Sequence, residues 1–581
     1  MPTRPLPNNP SLEHLRKKAK RLHAAVLAGA DDALGALKEF HPRADRAVER
    51  FTLTDAQLVI ARSYGFASWP RLKQHLREIE PFVWSPPGAP DPKSRVDVFA
   101  RLACLTYSGF HPSPENARRM LADEPELAGA GIHAAAAAGD VETVGAILDR
   151  DRVLLNRKGG PFNWEPLLYA CYSRMPSERS GRSTLDVVRL LLSRGADPNA
   201  GFLFEGSYAF TALTGAFGRG EDWPNQPPHP DCEAVARLLL GGGADPNDAQ
   251  TLYNRHFREN NDHLTLLFEY GLGREKGGQW ISRLNDPLFN PASLLAIELC
   301  AAAQHGFRDR VKLLIDHHVD VNARSLRTGR TPYEEAMRAG HLQIGDELLR
   351  HGAAKIDLDP LETFALACIE GRHDEVRARL AAQPALLDRL GHRRRIEMLH
   401  RAVDSQRGEA VRLIVSLGVG IDAMIPDSGM DRTVLHSAAG WGGLEMVKLL
   451  LELGADPHLR DLTYRATAVG WALYHKQRDV VDYLLPSASI FDAVRAGSVA
   501  RVEELLREDL SLAKARDENG NPLVFRLNPE DPHLEEMIRL LVASGADMNA
   551  CDGEGRSLVE RARSNGLIDF AALLVAHGAS S

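Results

Sequence analysis

Apolar residues in this chain come in short blocks broken at regular points rather than in long runs. Leu444-Glu445-Met446-Val447-Lys448-Leu449-Leu450-Leu451 is one such block. Asp186–Leu192, Glu233–Leu240 and Glu536–Val542 repeat its shape. The spacing predicts helices that bury one face against other helices. Ahead of the first block stands Thr433-Val434-Leu435-His436-Ser437-Ala438-Ala439, a shorter helix opened by Thr, and behind it Gly454-Ala455-Asp456-Pro457. The unit is therefore a short helix, a Leu-rich helix and a Gly-led turn. Glycine suits the left-handed residue that closes a helix, because it has no Cβ to clash. Asp and Asn bond their own backbone in tight turns, and Pro fixes φ just past the helix end. In Thr331-Pro332-Tyr333 the Thr oxygen caps free helical N–H groups, and Pro332 sits where a missing N–H costs nothing.

The turn recurs at Gly195, Gly243 and Gly545, truncated at Gly578, and in weaker form at His318, Gly352 and Gly418. From 318 to 352 is 34 residues, from 352 to 418 is 66, from 418 to 454 is 36 and from 545 to 578 is 33. The longer intervals, 48 from 195 to 243 and 75 from 243 to 318, mark insertions. Degenerate copies start at Ile132 and near Phe364, Leu399, Ala468, Phe491, Leu523 and Leu558. Motif and period together resemble the ankyrin repeat, whose signature is T-P-L-H-x-A on about 33 residues. The resemblance implies an all-α ankyrin-repeat solenoid of roughly 13–15 helix pairs between Val96 and Ala579. It also implies projecting fingers between units that line a concave binding surface.

The first 80 residues follow a different pattern. Leu12, Leu15, Ala19, Leu22 and Val26 form one helical stripe, with Arg16, Lys17, Lys18, Lys20 and Arg21 largely outside it. Further helices are expected over Asp32–Phe40, from Thr54, and after Trp69-Pro70. Ala56–Arg62 and Tyr64–Pro70 resemble a helical module seen ahead of bacterial ankyrin arrays. It is expected to cap the array, since the ends of a solenoid need covering. A helix-turn-helix reading is the weaker one, because Glu78 and Glu80 stand among Lys73, Gln74 and Arg77. The expected division is a module over 1–80, a Pro-rich linker over 81–95, and an array over 96–581 with insertions near 216–232 and 250–292.

Composition narrows the class. A formal charge of −8 argues against a general nucleic-acid coat. No apolar run approaches the ~18 residues of a membrane span, and the start lacks a signal-peptide core. Cys104, Cys171, Cys232, Cys300, Cys368 and Cys551 are far apart, as thiols in a reducing cytosol would be. A cytoplasmic monomer is expected, with a protein partner, no nucleic acid and no membrane.

No catalytic signature is present: no phosphate loop, dinucleotide glycines, His-Glu-x-x-His or Gly-x-Ser-x-Gly. His229-Pro230-Asp231-Cys232 lacks a fourth ligand at plausible spacing, and Asp231 reads as a helix N-cap. His436 stands at the family's structural histidine. No enzyme activity, catalytic residue, metal or cofactor is expected. Gly391-His392-Arg393-Arg394-Arg395 reads as a projecting finger. Aromatic residues make up 6% of the chain, yet three successive fingers carry eight. There they either pack on one another or anchor a partner, since aromatics and Arg dominate interface hot spots. The expected partner site is Arg157, Lys158, Phe162, Trp164, Phe202, Phe204, Tyr208, Phe210 and Tyr253. The alternative is a ligand-binding or enzymatic pocket built from the insertions, where His229, His256 and His263 would converge.

Overall fold

The computed structural model describes residues 6–7, 9–45, 50–84, 94–108, 112–177, 181–274, 277–284, 289–426 and 430–580. The chain is an all-α solenoid of helix pairs, and fourteen pairs can be followed among the described residues. The inner member of the thirteenth is only the 3₁₀ turn Leu523–Arg526. Two compact units divide at residue 298, inside the helix Pro291–His305.

Caps set the helix starts. Thr331 Oγ1 accepts the Glu334 N–H while the Glu334 carboxylate accepts the Thr331 N–H, so two free donors are satisfied at once. Thr433 caps Val434–Trp441 with His436 as its reciprocal partner. The His436 ring reaches further, to the carbonyls of Leu459 at 3.1 Å and Ala466 at 3.0 Å. Because its Nδ1 takes the Thr433 N–H, Nε2 carries the proton it donates to those carbonyls, and one repeat is tied to the next finger. At the helix ends, Gly195, Gly243, Gly352, Gly418, Gly454, Gly545 and Gly578 all have positive φ. His318, at the glycine-equivalent place, takes φ +61° despite its Cβ.

In the Met1–Glu298 unit the inner helix Ile132–Ala138 packs on Pro166–Tyr172, and that helix on Ala212–Phe217. Val141–Arg150, Thr184–Ser193 and Cys232–Gly241 form the outer row. In the Leu299–Ser581 unit the inner row runs through Pro332–Ala339, Pro360–Ile369, Gly391–Asp404, Val434–Trp441, Ala468–Tyr474 and Ile490–Arg495. One core joins residues 364–488, as expected for units that bury their apolar faces only by stacking.

The run at 391–395 is corrected here. It opens the helix Gly391–Asp404 and is not a finger. Arg394 is buried on Glu362 at 2.7 Å and Glu397 at 3.1 Å, so repeat-to-repeat packing consumes the charge that looked solvent-facing.

The N-terminal module has helices Leu12–Leu27, Asp31–Phe40, Leu53–Ser63 and Trp69–Ile79. The core around Leu15, Ala19, Leu72, Leu76 and Ile79 continues into Leu203 and Trp280. The module is therefore seated on the fingers of the early repeats. Val83–Trp84 (β1) lies in the stretch expected as linker, yet pairs parallel with Gly201–Phe204 (β2), which pairs antiparallel with Tyr208–Thr211 (β3). The Pro86–Pro92 stretch lies outside the described residues.

Candidate functional site

The aromatic fingers come together, but around a residue that the sequence reading left outside the set. Trp84 touches Phe162, Trp164, Phe202 and Phe204, with ring centroids 6.4, 5.2, 4.9 and 5.9 Å away. Trp164 stacks on Phe202 at 4.9 Å and Phe202 on Phe210 at 5.7 Å. Below them the Tyr169 hydroxyl accepts the Phe162 N–H, and that of Tyr172 donates to the Thr211 carbonyl. Burial pushes both phenols well above their ordinary pKa.

Phe162, Trp164, Phe202 and Phe210 are thus buried, so of the two readings open to the aromatic fingers these four rings follow the first, packing on one another, and their expected place in an exposed partner site is corrected. Adding β1 to the finger hairpin removes their faces from water. Lys158 is also engaged. Its ammonium donates to the Pro81 carbonyl at 3.1 Å, lies over the Phe82 ring and faces Glu165. It joins finger to module. Arg157 stays exposed, Tyr208 is 45% exposed, and Phe204 and Tyr253 are half-buried. The Tyr253 hydroxyl donates to Glu221. The only local hint of Trp84 was an apolar Phe82-Val83-Trp84 triple just before the proline run.

A different finger presents its aromatic outward. In the Leu299–Ser581 unit the loop after Gly454 closes with the Asp461 N–H on the Ala466 carbonyl. The fully buried Asp461 carboxylate accepts the N–H groups of Thr463, Tyr464 and Ala466 and the indole N–H of Trp471. A second tie runs from the Leu462 N–H to the Asp431 carbonyl at 2.8 Å. On this braced loop Tyr464 is 74% exposed, with Trp471 6.2 Å away and Trp441 43% exposed on the preceding inner helix.

The insertions build a cavity of about 670 Å³. Its near wall comes from residues 217–232, which fold back because Arg174 is buried beneath them. That guanidinium donates to the carbonyls of Pro227 at 2.7 Å and Gly215 at 2.9 Å. Its far wall comes from the helices Ala249–Arg255 and Asp262–Glu269. Arg219 and Arg258 lie against the Trp223 ring, at 5.1 and 4.6 Å. Arg255 donates to the Phe217 carbonyl and the Asn260 side chain. Burial lowers the pKa of all three guanidinium groups, and the Arg255 charge lowers that of Arg219 further.

The histidines expected to converge there do not line this cavity. His229 is pinned. Its Nδ1 accepts the Asp231 N–H at 2.9 Å, so Nε2–H faces the Thr184 hydroxyl, also at 2.9 Å. Burial, helped by the Arg174 charge, depresses its pKa to about 3. Asp231 stands at the N-cap position but uses its carboxylate on the Ser177 hydroxyl, not on the helix. His263 is fully buried, and His256 lies 3.9 Å from Glu298. Among the described residues no group of three or more His, Cys, Asp or Glu is placed to hold a metal ion. No described helix is long and apolar enough to cross a membrane.

Comparison with known proteins agrees with the helix pairs. Models described as ankyrin repeats match residues 364–461 and 399–493, and residues 163–201. An ankyrin repeat and KH domain-containing protein, mask-1 of Caenorhabditis elegans, is 26% identical over 434 residues, 69% of this chain and 15% of that protein. Ankyrin repeat and SAM domain-containing protein 6 of Danio rerio is 27% identical over 232 residues, 37% of this chain and 29% of that protein. The chain thus spans well under a third of these relatives' lengths. A solved complex of a predatory endopeptidase of Bdellovibrio bacteriovorus with immunity protein Bd3460 matches at 21% identity. That match covers 31% of this chain and 96% of the solved one, and its TM-score of 0.25 is too low to speak for a shared arrangement. Motif, caps, stacked pairs and these matches lead to one statement: the chain is an all-α protein that carries ankyrin repeats.

Proposed function

We propose that the chain is a non-catalytic scaffold that binds a protein partner through the finger face of its repeats. The carrying observation is Tyr464, 74% exposed on a loop braced by the buried Asp461. An aromatic side chain held out by a rigid turn loses little freedom on binding, the property of interface anchors. Leu462, two residues earlier on the same loop, is also exposed. In the Met1–Glu298 unit, the members of the early-finger set that remain reachable, Arg157, Phe204, Tyr208 and Tyr253, are proposed by themselves as contacts of that unit's own fingers. Buried thiols at Cys104, Cys171, Cys300 and Cys368 support a reducing, cytosolic setting. The likeness of the first 80 residues to bacterial modules stays a proposal beside the animal relatives.

The test is photocrosslinking from single positions of the full chain, at 464 and 462 on this finger, with 445 on an outer helix as control. Glu445 is well exposed there. One partner captured at the finger positions and not at 445 supports the reading. Tyr464→Ala should then weaken that partner by about 10-fold or more, the scale of an aromatic hot spot. Equal labelling from 445 and 464, or unchanged affinity of Tyr464→Ala, overturns it.

A further inference from the structure

We propose that the cavity between the two insertions binds a small phosphorylated molecule, with its phosphoryl group held by Arg219, Arg255 and Arg258. Four arginines line this space and three carboxylates face them. On the outer wall Arg237 is already held by Glu233 at 2.9 Å and Glu269 at 2.7 Å, with all three side chains well exposed. Further in, Arg219, Arg255 and Arg258 share the lining with Asp262 alone. A phosphate monoester carries about −1.5 to −2 near neutral pH, the sign of charge that lining guanidinium groups attract. A volume of about 670 Å³ falls within the range of small-molecule pockets.

The way Arg219 is held is the strongest sign of a built site. Gly218, Arg219 and Gly220 have φ of +57°, +65° and +140°, three successive residues with positive φ. Glycine is required on both sides: a Cβ on Gly218 would meet the Pro227 carbonyl oxygen at 2.5 Å, and one on Gly220 the Gln226 side chain at 2.5 Å. The Arg219 N–H closes the loop on the Gln226 carbonyl at 2.7 Å. A side chain at a position that favours glycine is a stored cost, and such strain collects at ligand sites. Arg219 makes no ion pair among the described residues. Its guanidinium donates to the Trp223 carbonyl at 3.2 Å and lies over that ring. Half-buried and beside Arg255, it sits where its charge is disfavoured. A bound dianion relieves that repulsion and takes charge-assisted hydrogen bonds from several guanidinium groups at once.

The strain also supplies the variant. Arg219→Gly places glycine where the backbone favours it, so the fold should be kept or strengthened while a phosphate ligand is lost. Arg258→Gln is the second variant, neutral and shorter but still polar at its end. Calorimetric titration of the full chain with inorganic phosphate, pyrophosphate and AMP, at constant ionic strength against chloride, reads the outcome. The parent should bind at least one probe saturably, and each variant should lose about 10-fold or more in affinity with no fall in melting temperature. Saturation by phosphate alone assigns a free phosphate; saturation by AMP and not phosphate assigns an organic one. No saturable binding to the parent at millimolar probe, or equal binding by Arg219→Gly, overturns the proposal.

Discussion

Replacing Trp84 with Ala tests whether the aromatic fingers are a packing cluster. Trp84 is 8% exposed, and its indole touches four rings from two fingers. An aromatic side chain of this kind buries roughly 200 Å², which at ~25 cal/mol/Å² gives about 5 kcal/mol. A compact unfolded chain already hides part of that area, bringing the figure to about 3–4 kcal/mol. Lost ring–ring contacts add about 1 kcal/mol, so a cost of about 4–5 kcal/mol follows, in line with core Trp truncations. The backbone pairing of β1 with β2 does not need the indole, so loss should appear first as local opening. Hydrogen exchange on the full chain should speed up in Gly201–Thr211 and in the Trp69–Ile79 helix, whose side chains share a core with Leu203. Urea unfolding should start earlier than in the parent, and Trp84→Phe should recover part of the loss. Unchanged exchange in Gly201–Thr211, together with an unchanged unfolding midpoint, would refute the packing role of Trp84.

Two further predictions follow from the same geometry. Gly454→Val should destabilise by about 1 kcal/mol or more in urea, through backbone strain alone, because φ is +92° and a Cβ there meets nothing within 4 Å; equal midpoints would contradict the strain. Acid should weaken the fold, because burial holds His229 at about 3 and His341 and His400 at about 4, while the unfolded chain takes up these protons below about 6.5. The neutral forms therefore contribute stability that is fully present above pH ~6.5 and falls as pH drops toward those values. Each histidine should cost about 2 kcal/mol between pH 6.5 and 5. Urea curves at pH 7 and pH 5 read the difference, and a flat result would show that the rings are solvated.

What could be read from sequence was what neighbours within one repeat decide. The Thr433 cap, the Thr331–Glu334 box and the glycine turns involve residues a few positions apart, so their chemistry is written in order along the chain. Period and motif then followed, because every unit repeats the same local bonds. The early fingers were also visible as an aromatic excess, but their exposure was not. It depends on β1 arriving from more than a hundred residues earlier in the chain to lie against β2. Likewise Arg394 looked like surface charge until Glu362 of the preceding repeat met it. The insertions were marked by broken spacing alone, and tertiary packing put Arg219, Arg255 and Arg258, not the histidines, on the wall of the cavity they build. Local order states which groups are present, while burial is set by segments distant in sequence that pack side by side, and burial decides whether a ring or a charge faces water or another residue.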